Sequence, residues 1–246
     1  LFRNKDVCRM IRRSNPICVG LGMSSVLAMI YAGDKLSVVP TNVYNGMAKF
    51  LLLAIPFFVL SGNIMAKAGI STRLVEFIDD CIGHRRGGIA IVCVVVACFF
   101  GAISGSGPAT VMAIGTLLIP AMEENGYPPR TAAGLTAMAG ALGPIIPPSI
   151  VMIVYGTTMS VSITKMFMGG ILPGLLIALL LIAANQLITR KFDLKVSKVR
   201  HSFKEILQIT WRALPTLLLP VIILGDIYGG VVTPTESATV GCVYTL

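Results

Sequence analysis

The sequence predicts an all-α, polytopic membrane protein in which two helices at membrane depth are discontinuous. Three observations predict it. Hydrophobic residues make up 55% of the 246-residue chain and charged residues 13%, with a mean hydropathy of +0.83, whereas a typical soluble domain carries about 25% charged residues. Apolar segments recur near 17–33, 47–66, 88–122, 132–156, 166–188 and 213–228, and several could cross a hydrocarbon core of roughly 30 Å. Helix-ending residues also concentrate inside two of these segments: three glycines, two serines and a proline in Gly101–Pro108, and Pro144, Pro147 and Pro148 further on.

Taking the elements in order, the basic N-terminus is placed inside, 17–33 crosses outward and 47–66 returns. Residues 69–88 carry Ile70, Leu74, Phe77, Ile78 and Ile82 at helical spacing, interleaved with Arg73, Glu76, Asp79 and Asp80. That pattern is an amphipathic helix lying along the inner interface. Region 88–122 enters and returns to the same side, 132–156 crosses outward, 166–188 returns, 190–204 is a basic cytoplasmic loop, and Arg212 begins another outward span ending near Gly229. On this path every one of the 20 Lys/Arg except Lys35, Lys49 and Lys165 lies inside, as the positive-inside rule requires.

Residues 1–13 hold five Lys/Arg and residues 190–212 hold seven. The net charge of +9 is therefore loop charge, and no nucleic-acid partner is expected. The six cysteines show no CxxC or CxxH spacing; they read as small hydrophobes, with neither a disulfide framework nor a metal site. Leu1 as first residue implies an absent or removed start, and because apolar text runs along the whole chain a cleaved signal peptide does not account for it.

The two interruptions carry the chemistry. Segments 88–104 and 108–122 are 17 and 15 residues long, short of the roughly 20 that a perpendicular crossing needs. Both meet at Ser104–Gly107, which predicts a re-entrant hairpin with its tip near mid-depth and Pro108 in the first turn of the second half-helix. Gly143, Pro144, Pro147 and Pro148 predict an unwound stretch in 132–156, each proline removing a donor and freeing a carbonyl in the turn before it. Freed carbonyls and C-terminal half-helix ends attract cations, and half-helix N-termini attract anionic groups. Ser104, Ser106 and Ser149 add hydroxyl oxygens. The only acids between Gly88 and Thr164 are Glu123 and Glu124, both in a loop. Proton coupling favours an intramembrane carboxylate or histidine, so sodium is the expected ion. The candidate sodium set is Ser104, Gly105, Ser106, Gly143 and Pro144; the candidate substrate set is Ser106, Gly107, Pro147, Pro148 and Ser149; Asn63 is a candidate polar contact of the transport domain. No catalytic residue is expected. A GxSG nucleophile would need glycine at Ala102, and His84 and His201 sit in charged loops, leaving Ser104 and Ser106 without a base.

The stretches "GAISGSGPA", "LLIPAMEENGYPPRTAAGLTA", "GPIIPPSI" and "GGVVTPTESA", with "IPFFVLSGNIM" and "GGILPGLL", resemble the large membrane subunit of tripartite ATP-independent periplasmic (TRAP) transporters, the DctM family, in order over most of 15–246. The resemblance implies an elevator-type secondary transporter of the bacterial inner membrane, holding the first inverted repeat plus the start of the second. It implies sodium-driven import of an organic acid, often a carboxylate or sialic acid. A soluble periplasmic binding protein and a small membrane subunit would be its partners, with the lipid bilayer around it. Ser104–Gly107 corresponds to the family's first hairpin tip and Gly143–Ser149 to its unwound helix. The implied organisation is 1–66 for the basic segment and scaffold spans, 67–87 for the arm helix, 88–164 for the transport-domain hairpin and broken helix, 165–212 for a span and basic loop, and 213–246 for an incomplete second repeat. The family's large subunit is longer, so a truncated C-terminus is expected. Thr233–Glu236 has the form of a capping box with proline at the first helical position. Alternative functions are a sodium-coupled divalent-anion symporter that needs no binding protein, and a structural membrane subunit.

Overall fold

The computed structural model describes residues 17–33, 35–83, 87–189, 192, 194, 203–230 and 232–245. The basic stretch 1–13, the residues His84, Arg85 and Arg86, and most of the 190–204 loop lie outside the described residues. The chain divides into a unit ending at Lys49 and a unit from Phe50 onward.

The first unit contains α1 (Ile17–Ala32) and α2 (Val38–Met47). Leu21, Met23, Leu27 and Ile30 of α1 are exposed, while the Ser24 and Ser25 hydroxyls donate to the Leu21 carbonyl at 2.9 and 2.8 Å, so both hydroxyls are satisfied within the helix. No element is expected from sequence over 34–46. Helix α2 forms there because Pro40 falls in its first turn, where a missing N–H costs nothing.

The second unit runs α3 (Ala54–Lys67), α4 (Ile70–Ile78), α5 (Gly88–Ser104), α6 (Gly107–Glu124), α7 (Pro129–Gly140), α8 (Ile150–Met159), α9 (Ile163–Thr189), α10 (Phe203–Tyr228) and α11 (Pro234–Thr245). A 3-10 turn, Phe50–Leu53, leads into α3, so 47–66 is not one even helix. Pro56 lies in the first turn of α3, and the steric demand of its ring on the preceding residues favours a helix start at that point. Helix α4 has the expected two faces, with Leu74 and Ile78 buried and Arg73 and Glu76 exposed. It runs into a wider π turn over Asp79–Gly83. Helix α10 begins nine residues before Arg212, the start expected from sequence.

Helix α5 is the centre of the fold. Val92, Cys93, Val94, Val96 and Ala97 are fully buried, and α3, α4, α6, α7, α9 and α10 pack around it. Ile114, Leu118, Met122, Ala139 and Leu142 complete the main core. A second cluster joins Phe58, Ile103, Ile153, Phe167, Leu219 and Ile223. Among the described residues, α9 is the one helix long and apolar enough to cross a membrane unaided; Val38–Met47 and Phe50–Met65 pass the same test as a pair. The 27 residues of α9 span about 40 Å at the α-helical rise. Met168, Leu172, Leu175, Leu176, Leu179 and Leu180 form one exposed stripe along it, the face suited to acyl chains. Helix α5 is also apolar, but only 17 residues long and largely buried.

At α11 the capping box is formed. Thr233 N–H and Oγ1–H donate to Glu236 Oε2 at 2.7 and 2.8 Å, and Glu236 N–H returns to Thr233 Oγ1 at 3.4 Å. The bonds from the Thr233 backbone and hydroxyl hold the Glu236 carboxyl below its ordinary range.

Candidate functional site: two helix breaks that cross

The first break is tight. Helix α5 ends at Ser104, and Gly105 takes the left-handed conformation (φ +61°), its N–H donating to Gly101 O at 2.8 Å. Ser106 is extended and stands at the N-cap position of α6, without a capping bond from its side chain, and Pro108 lies in the first turn. Only glycine takes the Gly105 conformation without strain, which is why the reversal falls there.

The second break spans nine residues. Helix α7 ends at Gly140, turns follow through Ile145, and α8 begins at Ile150 behind Ser149. Pro148 cannot donate to the carbonyl of Pro144. The Ser149 hydroxyl fills that vacancy at 2.6 Å, and Ser149 Oγ accepts from Met152 N–H at 3.3 Å as the N-cap of α8. The Pro147–Pro148 peptide is cis.

The two breaks interlock through backbone. Ile150 N–H donates to Gly105 O at 3.2 Å. A Cβ on Gly101 would stand 2.8 Å from Gly143 Cα, one on Gly105 would stand 2.9 Å from Pro148 O, and one on Gly143 would stand 2.9 Å from Thr110 Oγ1 and 3.0 Å from Ser106 O. The glycines of both motifs therefore serve one purpose, close approach of main chain to main chain.

Three oxygens gather where the breaks cross. Thr110 Oγ1 donates to Ser106 O at 2.8 Å, Ser104 Oγ stands 3.0 Å from Thr110 Oγ1, and Ser104 Oγ stands 3.4 Å from Ser106 O. The one Thr110 proton is spent on the carbonyl, so Ser104 is the donor in their shared bond. Ser104 Oγ also accepts from Ser106 N–H at 3.3 Å. Ser104 and Thr110 are buried. A hydroxyl can turn a lone pair to a cation while its proton remains on another oxygen, so this all-oxygen donor set fits a hard cation.

Of the residues singled out by sequence, Ser104, Gly105, Ser106, Gly107, Gly143 and Pro144 all meet at the crossing. Ser104 and Ser106 also line a cavity of about 350 Å³ between α3 and the hairpin, together with Asn63, Gly62, Phe100 and Met112. Pro147, Pro148 and Ser149 are buried and do not line that cavity. Thr110 has no place in the sequence reading. Its available signal is its position four residues after Ser106, one helical turn into α6.

Interrupted, interlocked helices around a buried oxygen cluster are what the fold presents at this place, and the class of protein comes from its relatives. The chain belongs to the DctM family: residues 7–246 match the model of the tripartite ATP-independent periplasmic transporter, DctM component. It is 45% identical over 232 residues to the C4-dicarboxylate TRAP transporter large permease protein DctM of Vibrio cholerae, covering 94% of this chain and 51% of that protein. It is 42% identical to the isethionate TRAP transporter permease protein DctMQ of Oleidesulfovibrio alaskensis, covering 94% and 36%. It is 36% identical to the 2,3-diketo-L-gulonate TRAP transporter large permease protein YiaN of Escherichia coli, covering 93% and 56%. The chain thus spans about half the length of most curated relatives it matches. Its family is one of transport proteins, not enzymes.

Proposed function

We propose that the chain is part of the permease of a sodium-coupled TRAP transporter in the bacterial inner membrane, importing an organic acid delivered by a periplasmic binding protein. The observation that carries the sodium reading is the oxygen trio of Ser104, Ser106 and Thr110 at the crossing of the two breaks. These ligands are neutral, so cation binding there needs no deprotonation, and ordinary pH changes leave them unaltered. Gly105, Gly143 and Pro144 act as the frame that brings the oxygens together, and the N-terminus of α6 behind Ser106 offers its dipole to an anionic group. The cavity lined by Asn63, Ser104 and Ser106 opens on the same two serines, which brings a solute beside the ion. Relatives named for a dicarboxylate, for isethionate and for a diketogulonate support an organic acid as cargo. A small membrane subunit and the binding protein are the partners, and the hairpin with the broken helix moves as the elevator body.

The test is reconstitution of the full-length permease with its small subunit in liposomes, with and without the binding protein. An inward sodium gradient is expected to drive uptake only when the binding protein is present. Uptake driven by a proton gradient without sodium would overturn the coupling, and uptake without the binding protein would favour the divalent-anion symporter.

A further inference from the structure

The cavity between α3 and the hairpin is polar at one end and apolar along the rest. Asn63 belongs to α3, Ser104 ends α5 and Ser106 stands at the cap position of α6, and all three line the cavity. A Cβ on Gly62 would stand 3.4 Å from Ser104 Cα. Helix α3 is therefore pressed against the hairpin tip at that point, and Asn63, the next residue, lies at the level of the tip. Phe100 lines the cavity one turn before Ser104, and Met112 lines it from the second turn of α6. Both positions lie toward the base of the hairpin. Among the described residues, no charged side chain lines this cavity.

Ser104 Oγ is committed within the oxygen trio. The Ser106 hydroxyl makes no capping bond and Asn63 is exposed, so one hydroxyl and one primary amide are open to a ligand. The amide brings two donors and an acceptor, and the hydroxyl one donor. The N-terminus of the 18-residue α6 adds its dipole. Neutral donors converging in this way take the oxygens of an acid group, a carboxylate or a sulfonate. A second charged end would lie against Phe100 and Met112, where burying it unpaired is costly. Building on the organic-acid reading above, we infer that Asn63 is the residue by which the permease recognises its solute. That solute is a small organic anion, with one acid group held between Asn63 and Ser106 and a short carbon skeleton against Phe100 and Met112. The volume of about 350 Å³ is at the small end of ligand pockets, which run from about 300 to 1,000 Å³. Adjacent residues of α3 thus touch both halves of the site, Gly62 the backbone of Ser104 and Asn63 the solute.

Met112→Cys in the purified full-length permease places a thiol at the apolar end of the cavity with Asn63 and Ser106 intact. Its modification is followed by mass at position 112 with two short methanethiosulfonates, one ending in a sulfonate and the other in a trimethylammonium. The ratio of sulfonate to ammonium rate should exceed that of 2-mercaptoethanol in solution by about tenfold, the lower end of what a focusing cleft supplies. Asn63→Leu in the same background should return the ratio to its solution value, and Asn63→Asp should turn it in favour of the cation. A merely structural effect of either substitution would move both rates together. Measuring in sodium and in potassium separates recognition from coupling: sodium in the trio should raise the ratio further. An anion preference that depends on Asn63 yet is equal in both salts would uphold Asn63 and count against the ion beside it. A solution-like ratio in Met112→Cys, or a preference that survives Asn63→Leu, would overturn the inference, whereas failure of organic-acid import shows separately in the liposome assay.

Discussion

Gly143→Ala is the substitution that probes the crossing most sharply. The added methyl would sit 2.9 Å from Thr110 Oγ1, 3.0 Å from Ser106 O and 3.1 Å from Ser106 C. Two of those three atoms are main chain, and the third is the hydroxyl that bonds Ser106 O, so no flexible side chain can swing away. The hairpin tip must give by a few tenths of an ångström, and overpacking of this kind costs about 1–3 kcal/mol. The strain falls on two of the three oxygens assigned to sodium, so the half-saturating sodium concentration should rise on the order of tenfold, the lower end of what misplacing a metal site's supporting groups costs. The assay is sodium-dependent thermal stabilisation of the purified full-length permease, with potassium as the control ion. Gly134→Ala is the matched control. It lies in α7 with nothing within 4 Å of its would-be Cβ, and should stabilise slightly through helix propensity with unchanged sodium dependence. An unchanged sodium half-saturation in Gly143→Ala would refute the reasoning, since the methyl cannot be accommodated without moving the trio.

Further outcomes follow from other parts of the structure. Thr110→Val keeps the shape and removes the hydroxyl; sodium stabilisation should weaken by about tenfold, with the cost of the lost hydrogen bond near 1 kcal/mol, checked by the same sodium titration. Gly105→Ala meets both a left-handed backbone and the fixed Pro148 carbonyl, so the folded yield and midpoint should fall, by about 1–3 kcal/mol in stability. Leu172→Arg places a charge on the most exposed apolar position of α9; membrane insertion should suffer by about 2.5–3.5 kcal/mol, measured in a translocation assay. The Glu236 carboxyl titrates below an ordinary glutamate because Thr233 donates to it, so its capping contribution is present above the ordinary carboxylate range and is lost as pH falls through the lowered value. A carboxyl-carbon NMR titration should show the low midpoint, and Thr233→Val should raise it.

What was legible in sequence was whatever glycine and proline dictate locally. Ser104–Gly107 was readable as a reversal, because a left-handed glycine followed by a proline in the next first turn admits few other structures. The Gly143–Ser149 unwinding was readable for the same reason, and so was the capping box at Thr233–Glu236. Thr110 was not, because a threonine one turn into a helix looks like any other until the tip curls back and sets its hydroxyl against Ser104. The cavity beside Asn63 depends on where α3 lies against the hairpin, and periodicity contains no such distance. Helix α2 and the 3-10 entry to α3 were not expected from sequence: 34–46 was given no element and 47–66 was read as one span across Pro56, and both Pro40 and Pro56 fall in the first turn of a helix, where proline is tolerated.

Sodium binding at the crossing of the two breaks is the central proposal. Its most direct measurement is a pair of maps of the full-length permease, one in sodium and one in potassium, at a resolution that shows ions. The account predicts a peak shared by Ser104 Oγ, Ser106 O and Thr110 Oγ1 in sodium alone. Identical maps in both salts, or a sodium peak remote from all three oxygens, would contradict it.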